Sequence, residues 1–140
     1  MEIQEREREG IVILDLTGEL TVGGPASVLR EKLRQLAEAN RNKIILNLAK
    51  VDFIDSTGLG AMVVCYTTLQ KAGGRLVLLN LNRRHLELLV LTKLSTVFEV
   101  FEDEQDAVNS FFPGRQVHRF DILEFIERQR QPGGESGSSS

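Results

Sequence analysis

The hexapeptide Asp55-Ser56-Thr57-Gly58-Leu59-Gly60 concentrates the residues best suited to chemistry: one carboxylate, two adjacent hydroxyls and two glycines within six positions. Asp and Ser are favoured helix N-caps. The backbone N–H groups that follow a cap lack partners inside the helix, and the helix dipole favours negative charge beside them. A phosphate carried by Ser56 would meet those N–H groups. The same residue types also make a plain cap and turn, so the motif alone leaves both readings open.

Other chemistries need residues that are missing. A dinucleotide fingerprint would require Gly-x-Gly-x-x-Gly, and the run Gly58-Leu59-Gly60-Ala61-Met62-Val63 ends in valine, with no ribose-binding acid after the next strand. A nucleophile elbow needs Gly-x-Ser-x-Gly, but Ile54 holds the first glycine position. No Walker lysine follows the glycines. General base catalysis would need a positioned histidine or carboxylate. His85, beside Arg83-Arg84, and His118 read as solvated surface residues, and two isolated histidines with one cysteine make no metal set. Asp52 and Asp55 stand three apart across a turn, with Asp55 read as the cap. No catalytic residue, no metal site and no cofactor are therefore expected.

The motif joins a predicted strand to a predicted helix. Upstream, Lys43-Ile44-Ile45-Leu46-Asn47-Leu48 is apolar and β-branched, and Val51-Asp52-Phe53-Ile54 carries the chain into the turn. Downstream, Leu59, Met62, Val63, Tyr66 and Leu69 recur at helical spacing, and Ala61, Val64 and Cys65 make the other faces apolar, which predicts a helix buried on most sides. Gly73-Gly74 ends it. Around this unit, an edge strand is expected near Ile3 to Glu7 and a central strand at Ile11 to Leu16. Gly23-Gly24-Pro25 opens a surface helix whose buried stripe is Leu29, Leu33, Leu36 and Asn40. Arg75 to Asn80 reads as a strand, Leu86, Leu89, Val90 and Lys93 or Leu94 as a helical stripe, Val97 to Phe101 as a last strand, and Asp103 to Phe112 as a helix. The alternation predicts an α/β domain with a mainly parallel sheet of about four to five strands and about four helices, and functional loops at the strand carboxyl ends.

The chain has 140 residues, 41% hydrophobic and 26% charged, with a formal charge of -3. That describes one globular domain and gives no basic footprint for nucleic acid. One cysteine, Cys65, fits a reducing compartment and a packing role. Neither a membrane span nor a signal-peptide core is legible, so a cytoplasmic location is expected. The domain is expected over residues 1–113, and an added amphipathic helix over 114–131 is carried by Phe120, Ile122, Leu123, Phe125 and Ile126. That helix would dock on its own domain or form a homodimer contact. A glycine- and serine-rich disordered tail is expected over 132–140.

The run Phe53-Ile54-Asp55-Ser56-Thr57-Gly58-Leu59-Gly60, with Leu16-Thr17-Gly18-Glu19-Leu20 and the approach Asn47-Leu48 and Val51-Asp52, resembles the STAS domain family of the anti-sigma-factor antagonist type, over about Ile3 to Phe112. The resemblance implies a single-domain STAS fold and a protein that is a substrate and a binder, not an enzyme. It makes Ser56 the phosphoacceptor of a kinase-type anti-sigma factor, which brings ATP and magnesium, and it implies a phosphatase that restores the free serine. Thr21, Asp55, Ser56, Thr57, Gly58, Leu59 and Gly60 would form the partner-binding surface, with Gly58 and Gly60 permitting close approach. One position departs from the pattern: many antagonists have an aspartate after Gly-Glu-Leu, where this chain has Thr21. An alternative within the resemblance is a non-switching STAS scaffold subunit of a larger assembly, such as a stressosome-like or lipid-transport complex.

Overall fold

A computed structural model describes residues 1–130. Five strands form one sheet in the order β1-β2-β3-β4-β5. β1 (Glu2–Arg8) runs antiparallel to β2 (Ile11–Leu20), and β2, β3 (Lys43–Ile54), β4 (Arg75–Leu79) and β5 (Val100–Phe101) are parallel. The expected α/β class and mainly parallel sheet are found. β2 lies between two partners, and its alternation serves two cores. Val12, Leu14, Leu16 and Leu20 belong to one cluster, Ile11 and Ile13 to the other.

The layers are unequal. α1 (Gly24–Glu38), α2 (Ser56–Lys71), α3 (Arg83–Leu91) and α5 (Ile122–Arg130) contribute to the larger cluster, whereas α4 (Glu104–Asn109), with Phe111, Phe112 and Val117 after it, covers Ile11, Ile13, Ile45, Val77, Leu79 and Phe101. At the start of α4 that second face turns polar. Asp15 accepts from the Arg6 guanidinium (2.6 Å) and from Asn47 (2.8 Å), and Arg6 and Arg8 reach across to Glu104. The two arginines hold the Glu104 carboxyl down at about 2.

Several expected boundaries move. β3 is one twelve-residue strand that continues through Ala49-Lys50 to Ile54, and β2 runs on to Leu20. Asn40 belongs to no stripe, because α1 ends at Glu38 and Asn40 takes a left-handed φ of 60°. α3 likewise stops at Leu91, and Lys93 turns the chain at φ 62°. Leu94–Thr96 is a single 3-10 turn, which leaves Val100–Phe101 as the last strand. α4 is shorter than the expected Asp103 to Phe112, capped by Asp103 accepting from the Asp106 N–H at 3.0 Å. α2 ends as expected. The Gly73 N–H donates to Gln70 and the Gly74 N–H to Leu69 (3.1 and 2.7 Å), with Gly73 at φ 77°, the paired bonds of a Schellman motif.

The added segment is helical only from Ile122. Before it the chain is extended, and the Phe120 N–H donates to the Val100 carbonyl at 3.2 Å. Ile122 is buried in the larger cluster, Phe120 and Phe125 pack against it, and Leu123 is exposed. The helix is thus laid on its own domain, beside α3. The expected tail falls outside the described residues. Among those described, no helix is long and apolar enough to cross a membrane.

Candidate functional site

The carboxyl ends of β2 and β3 meet where the motif begins, with Leu20 paired to Ile54. Asp55 then leaves the sheet, its N–H donating to the Leu20 carbonyl at 3.3 Å. As the N-cap of α2 it has extended backbone, and its Oδ1 accepts from the Gly58 N–H at 2.7 Å. Its Oδ2 accepts from the Val22 N–H at 2.9 Å, across 33 positions of sequence. One carboxylate therefore pins the loop after β2 to the first turn of α2. The Gly58 bond, and after it the Val22 bond, hold the Asp55 carboxyl below the usual carboxylate range.

Ser56 and Thr57 are the first two residues of α2, and both are exposed. They lead an outward stripe at positions 57, 60, 64 and 67, formed by Thr57, Gly60, Val64 and Thr67. The expectation of a helix buried on most sides is met on the inner faces, where Leu59, Ala61, Met62, Cys65 and Leu69 are buried, and corrected on this one. Three large apolar side chains on these elements are exposed: Val22 (67%), whose N–H meets Asp55, Phe53 (49%), two residues before the cap, and Val64 (47%), two turns along α2.

The two glycines divide in role. A Cβ on Gly58 would lie 2.0 Å from the Leu20 carbonyl oxygen, so its missing side chain serves contact inside the protein. Gly60 is exposed, and a Cβ placed there would meet nothing within 4 Å. Gly58 and Leu59, expected at a partner surface, are both buried. Thr21 is half-buried in the Val22 loop, its carbonyl accepting from the Ala26 N–H at 3.1 Å.

Both Asp55 oxygens are occupied by backbone N–H groups. His118 is exposed in the segment before α5. His85 corrects the sequence expectation: it is 3% exposed, not solvated. Its backbone N–H donates to Asn82 Oδ1 at 2.8 Å, and its Nδ1 accepts from the Asn82 N–H at 3.4 Å, a capping box that starts α3. Cys65 is buried, and desolvation pushes its thiol up to about 12, a packing residue. Among the described residues no three potential metal ligands gather.

The STAS domain family model matches residues 2–107. The chain belongs to the STAS domain family. An anti-sigma-B factor antagonist of Bacillus subtilis (strain 168) is 34% identical over 106 residues, 76% of this chain and 95% of that protein. Among solved structures, a proposed anti-sigma factor antagonist from Thermotoga maritima superposes with a TM-score of 0.72 at 25% identity, covering 77% of this chain and 92% of its own. The phosphorylated form of the Bacillus cell fate determinant SpoIIAA shares the fold, with a TM-score of 0.63 at 22% identity over 79% of this chain and 99% of its own.

Motif reasoning reaches Phe53 but not the exposed Val22 and Val64. Val22 comes to the cap only through the Asp55 bond, and Val64 sits on a helix apolar all round, where periodicity marks no outer face.

Proposed function

We propose that this STAS protein is an anti-sigma-factor antagonist that works by partner switching. The unmodified form binds a kinase-type anti-sigma factor, the kinase phosphorylates Ser56, and the phosphoform releases it until a phosphatase restores the serine. The observation that carries this reading is the exposed Ser56 on the first turn of α2, beside a carboxylate whose two oxygens each accept a backbone N–H, with Val22 and Phe53 exposed on the adjoining chain. Thr21, Asp55, Ser56, Thr57 and Gly60 line the surface a partner would read, with Gly58 and Leu59 supporting it from beneath.

The switch follows from charge and space. A phosphate brings about two negative charges next to an Asp55 that cannot turn away without releasing Val22 or Gly58. It also adds bulk to a surface whose apolar rim must be desolvated by close contact. Thr21 contributes no charge here, so the repulsion rests on Asp55 alone. Thr21 is also the residue that favours the alternative of a permanent scaffold, in which the same surface binds without being modified.

Incubation with the anti-sigma factor kinase and ATP, followed by intact mass and phosphopeptide mapping, tests the proposal. One phosphate on Ser56 and none on Thr57 is expected. In calorimetry Ser56→Asp should lose at least about 1.4 kcal/mol, tenfold in affinity, while Ser56→Ala still binds. Binding without any phosphate transfer, at equal affinity for wild type and Ser56→Asp, would replace the switch with the scaffold.

A further inference from the structure

Between β2 and α1 the chain makes a loop of three residues, 21–23, whose hydrogen-bonded tie to α2 is the bond from the Val22 N–H to Asp55 Oδ2, 2.9 Å and exposed. On either side of Val22 the loop is held by α1. The Thr21 carbonyl accepts the Ala26 N–H at 3.1 Å, and the Gly23 carbonyl accepts the Ser27 N–H at 3.3 Å. Gly23 turns the chain at φ 93°, and neither it nor Gly24 has anything within 4 Å of where a Cβ would stand. With open space and the freedom of glycine, the backbone can turn there at little cost.

The other Asp55 bond is built differently. Gly58 is buried against the Leu20 carbonyl, and its N–H reaches Asp55 Oδ1 at 2.7 Å, the shorter of the two bonds. The Asp55 backbone is fixed as well, its N–H donating to Leu20 and its carbonyl accepting the Leu59 N–H at 2.9 Å. One carboxylate thus joins a rigid donor at Gly58 to a yielding donor at Val22. Only the side chain of Asp55 is left to respond to a new neighbour.

Ser56 is where that neighbour would arrive. A phosphate there brings about two negative charges to the residue after the cap, where the first-turn N–H groups attract them. The phosphate and the Asp55 carboxylate then repel each other and compete for the same donors.

We propose that Asp55 is a latch: with Ser56 unmodified it holds Val22 in place at the cap of α2, and phosphorylation of Ser56 breaks the Oδ2 bond and frees residues 21–23 while the cap on Gly58 persists. The proposal rests on the anti-sigma-factor reading of the Ser56 surface and adds a second component to its switch. Charge and bulk act at the serine itself. The latch acts on a segment 33 positions away, whose valine is 67% exposed and is offered to the partner in one position only while its N–H is held. A partner that meets the phosphoform must reorder that loop as well as accept the charge. Asp55 is in this sense a positioning residue.

The test begins with the full chain alone, carrying phosphoserine installed at position 56 during translation, so that no kinase is needed. Amide exchange followed by NMR should rise at least tenfold at Val22 over the unmodified chain, with Gly58, Ala26 and Leu59 unchanged. Unaltered exchange at Val22, or a rise at Gly58 in its place, overturns the latch. Calorimetry supplies the second arm, with the anti-sigma factor identified by the Ser56 phosphorylation assay and a cycle of wild type, Val22→Ala, Ser56→Asp and the double variant. Ser56→Asp should lose at least threefold less affinity in the Val22→Ala background than in wild type, since the contact it releases is already gone. Equal losses in both backgrounds overturn the coupling of Val22 to the serine. An active kinase that leaves Ser56 unmodified removes the anti-sigma-factor reading instead, and exchange on the installed phosphoserine still decides the latch.

Discussion

Replacing each motif glycine by alanine should move stability in opposite directions. At Gly58 a Cβ would stand 2.0 Å from the Leu20 carbonyl oxygen and 2.7 Å from its carbon, against about 3.3 Å for a close C···O approach. The first turn of α2 must therefore retreat by more than about 1 Å. Leu20 cannot yield instead, because it is the paired last residue of β2 and its carbonyl accepts the Asp55 N–H. Overpacking against well-packed surroundings costs about 1–3 kcal/mol, and fixed backbone on the other side places this site near the top of that range. Alanine's better helix propensity returns about 1 kcal/mol, leaving a net loss of roughly 2 kcal/mol. For a domain of this size that lowers Tm by roughly 6–10 °C. Gly60 meets nothing within 4 Å and lies inside the same helix, so Gly60→Ala should gain about 0.5–1 kcal/mol. Thermal unfolding followed by circular dichroism reads both. A Gly58→Ala protein as stable as Gly60→Ala would refute the argument that Gly58 exists for contact with Leu20.

Leu59→Ala should cost about 2–4 kcal/mol in chemical denaturation, because Leu59 is a buried member of the larger cluster; an unchanged midpoint would place its side chain outside the core. His85 predicts a pH dependence. Its pKa is lowered from the ordinary 6.5 chiefly by burial, so the unfolded chain binds the proton more readily and stability is full above pH 6.5 and falls as pH drops below it. His85→Asn, measured by urea denaturation between pH 7.5 and 5, should flatten that slope, and an unaltered slope would assign it to other groups. Ending the chain at Pro113 removes Phe120, Ile122 and Phe125 from the apolar surface they cover, and burial of Ile122 alone is worth about 1.5–3 kcal/mol. The shortened protein should melt several degrees lower, or associate through the uncovered face in sedimentation. If neither changes, the contact of α5 with α3 contributes nothing to stability.

What was legible in the sequence had a local cause. The Asp55 cap, the Schellman end at Gly73-Gly74 and the continuous apolar core of β2 each depend on residues a few positions apart, and each is found. The misreadings had causes that are not local. The apolar run stops at Leu48, yet β2 supplies partners for Lys50 and Val51 and keeps β3 extended. His85 follows two arginines and resembles surface, but the capping box turns the ring inward while Arg83 and Arg84 stay out. Asn40 and Lys93 sit at helical spacing, although the chain has already left the helix in a left-handed residue. Apolar spacing reports a periodicity and is silent about where the helix stops.

The same distinction explains why the site was half visible. The serine and its cap lie within the motif, but the loop after β2 is tied to them by long-range bonds, among them that from the Val22 N–H to Asp55 Oδ2. A carboxylate that caps its own helix needs only one oxygen. The second oxygen is committed to a loop 33 residues upstream, and that commitment brings the exposed Val22, with Thr21 before it, to the cap of α2. Any charge added at Ser56 therefore acts on both halves of the surface at once: it repels Asp55, and Asp55 holds Val22. Asp55→Asn tests that coupling, because an amide retains one acceptor oxygen and can satisfy one of the two N–H groups. Its Gly58 cap should persist, while the amide exchange of Val22 rises above that of wild type; unaltered exchange at Val22 would mean that the loop is held by the Ala26 to Thr21 bond alone.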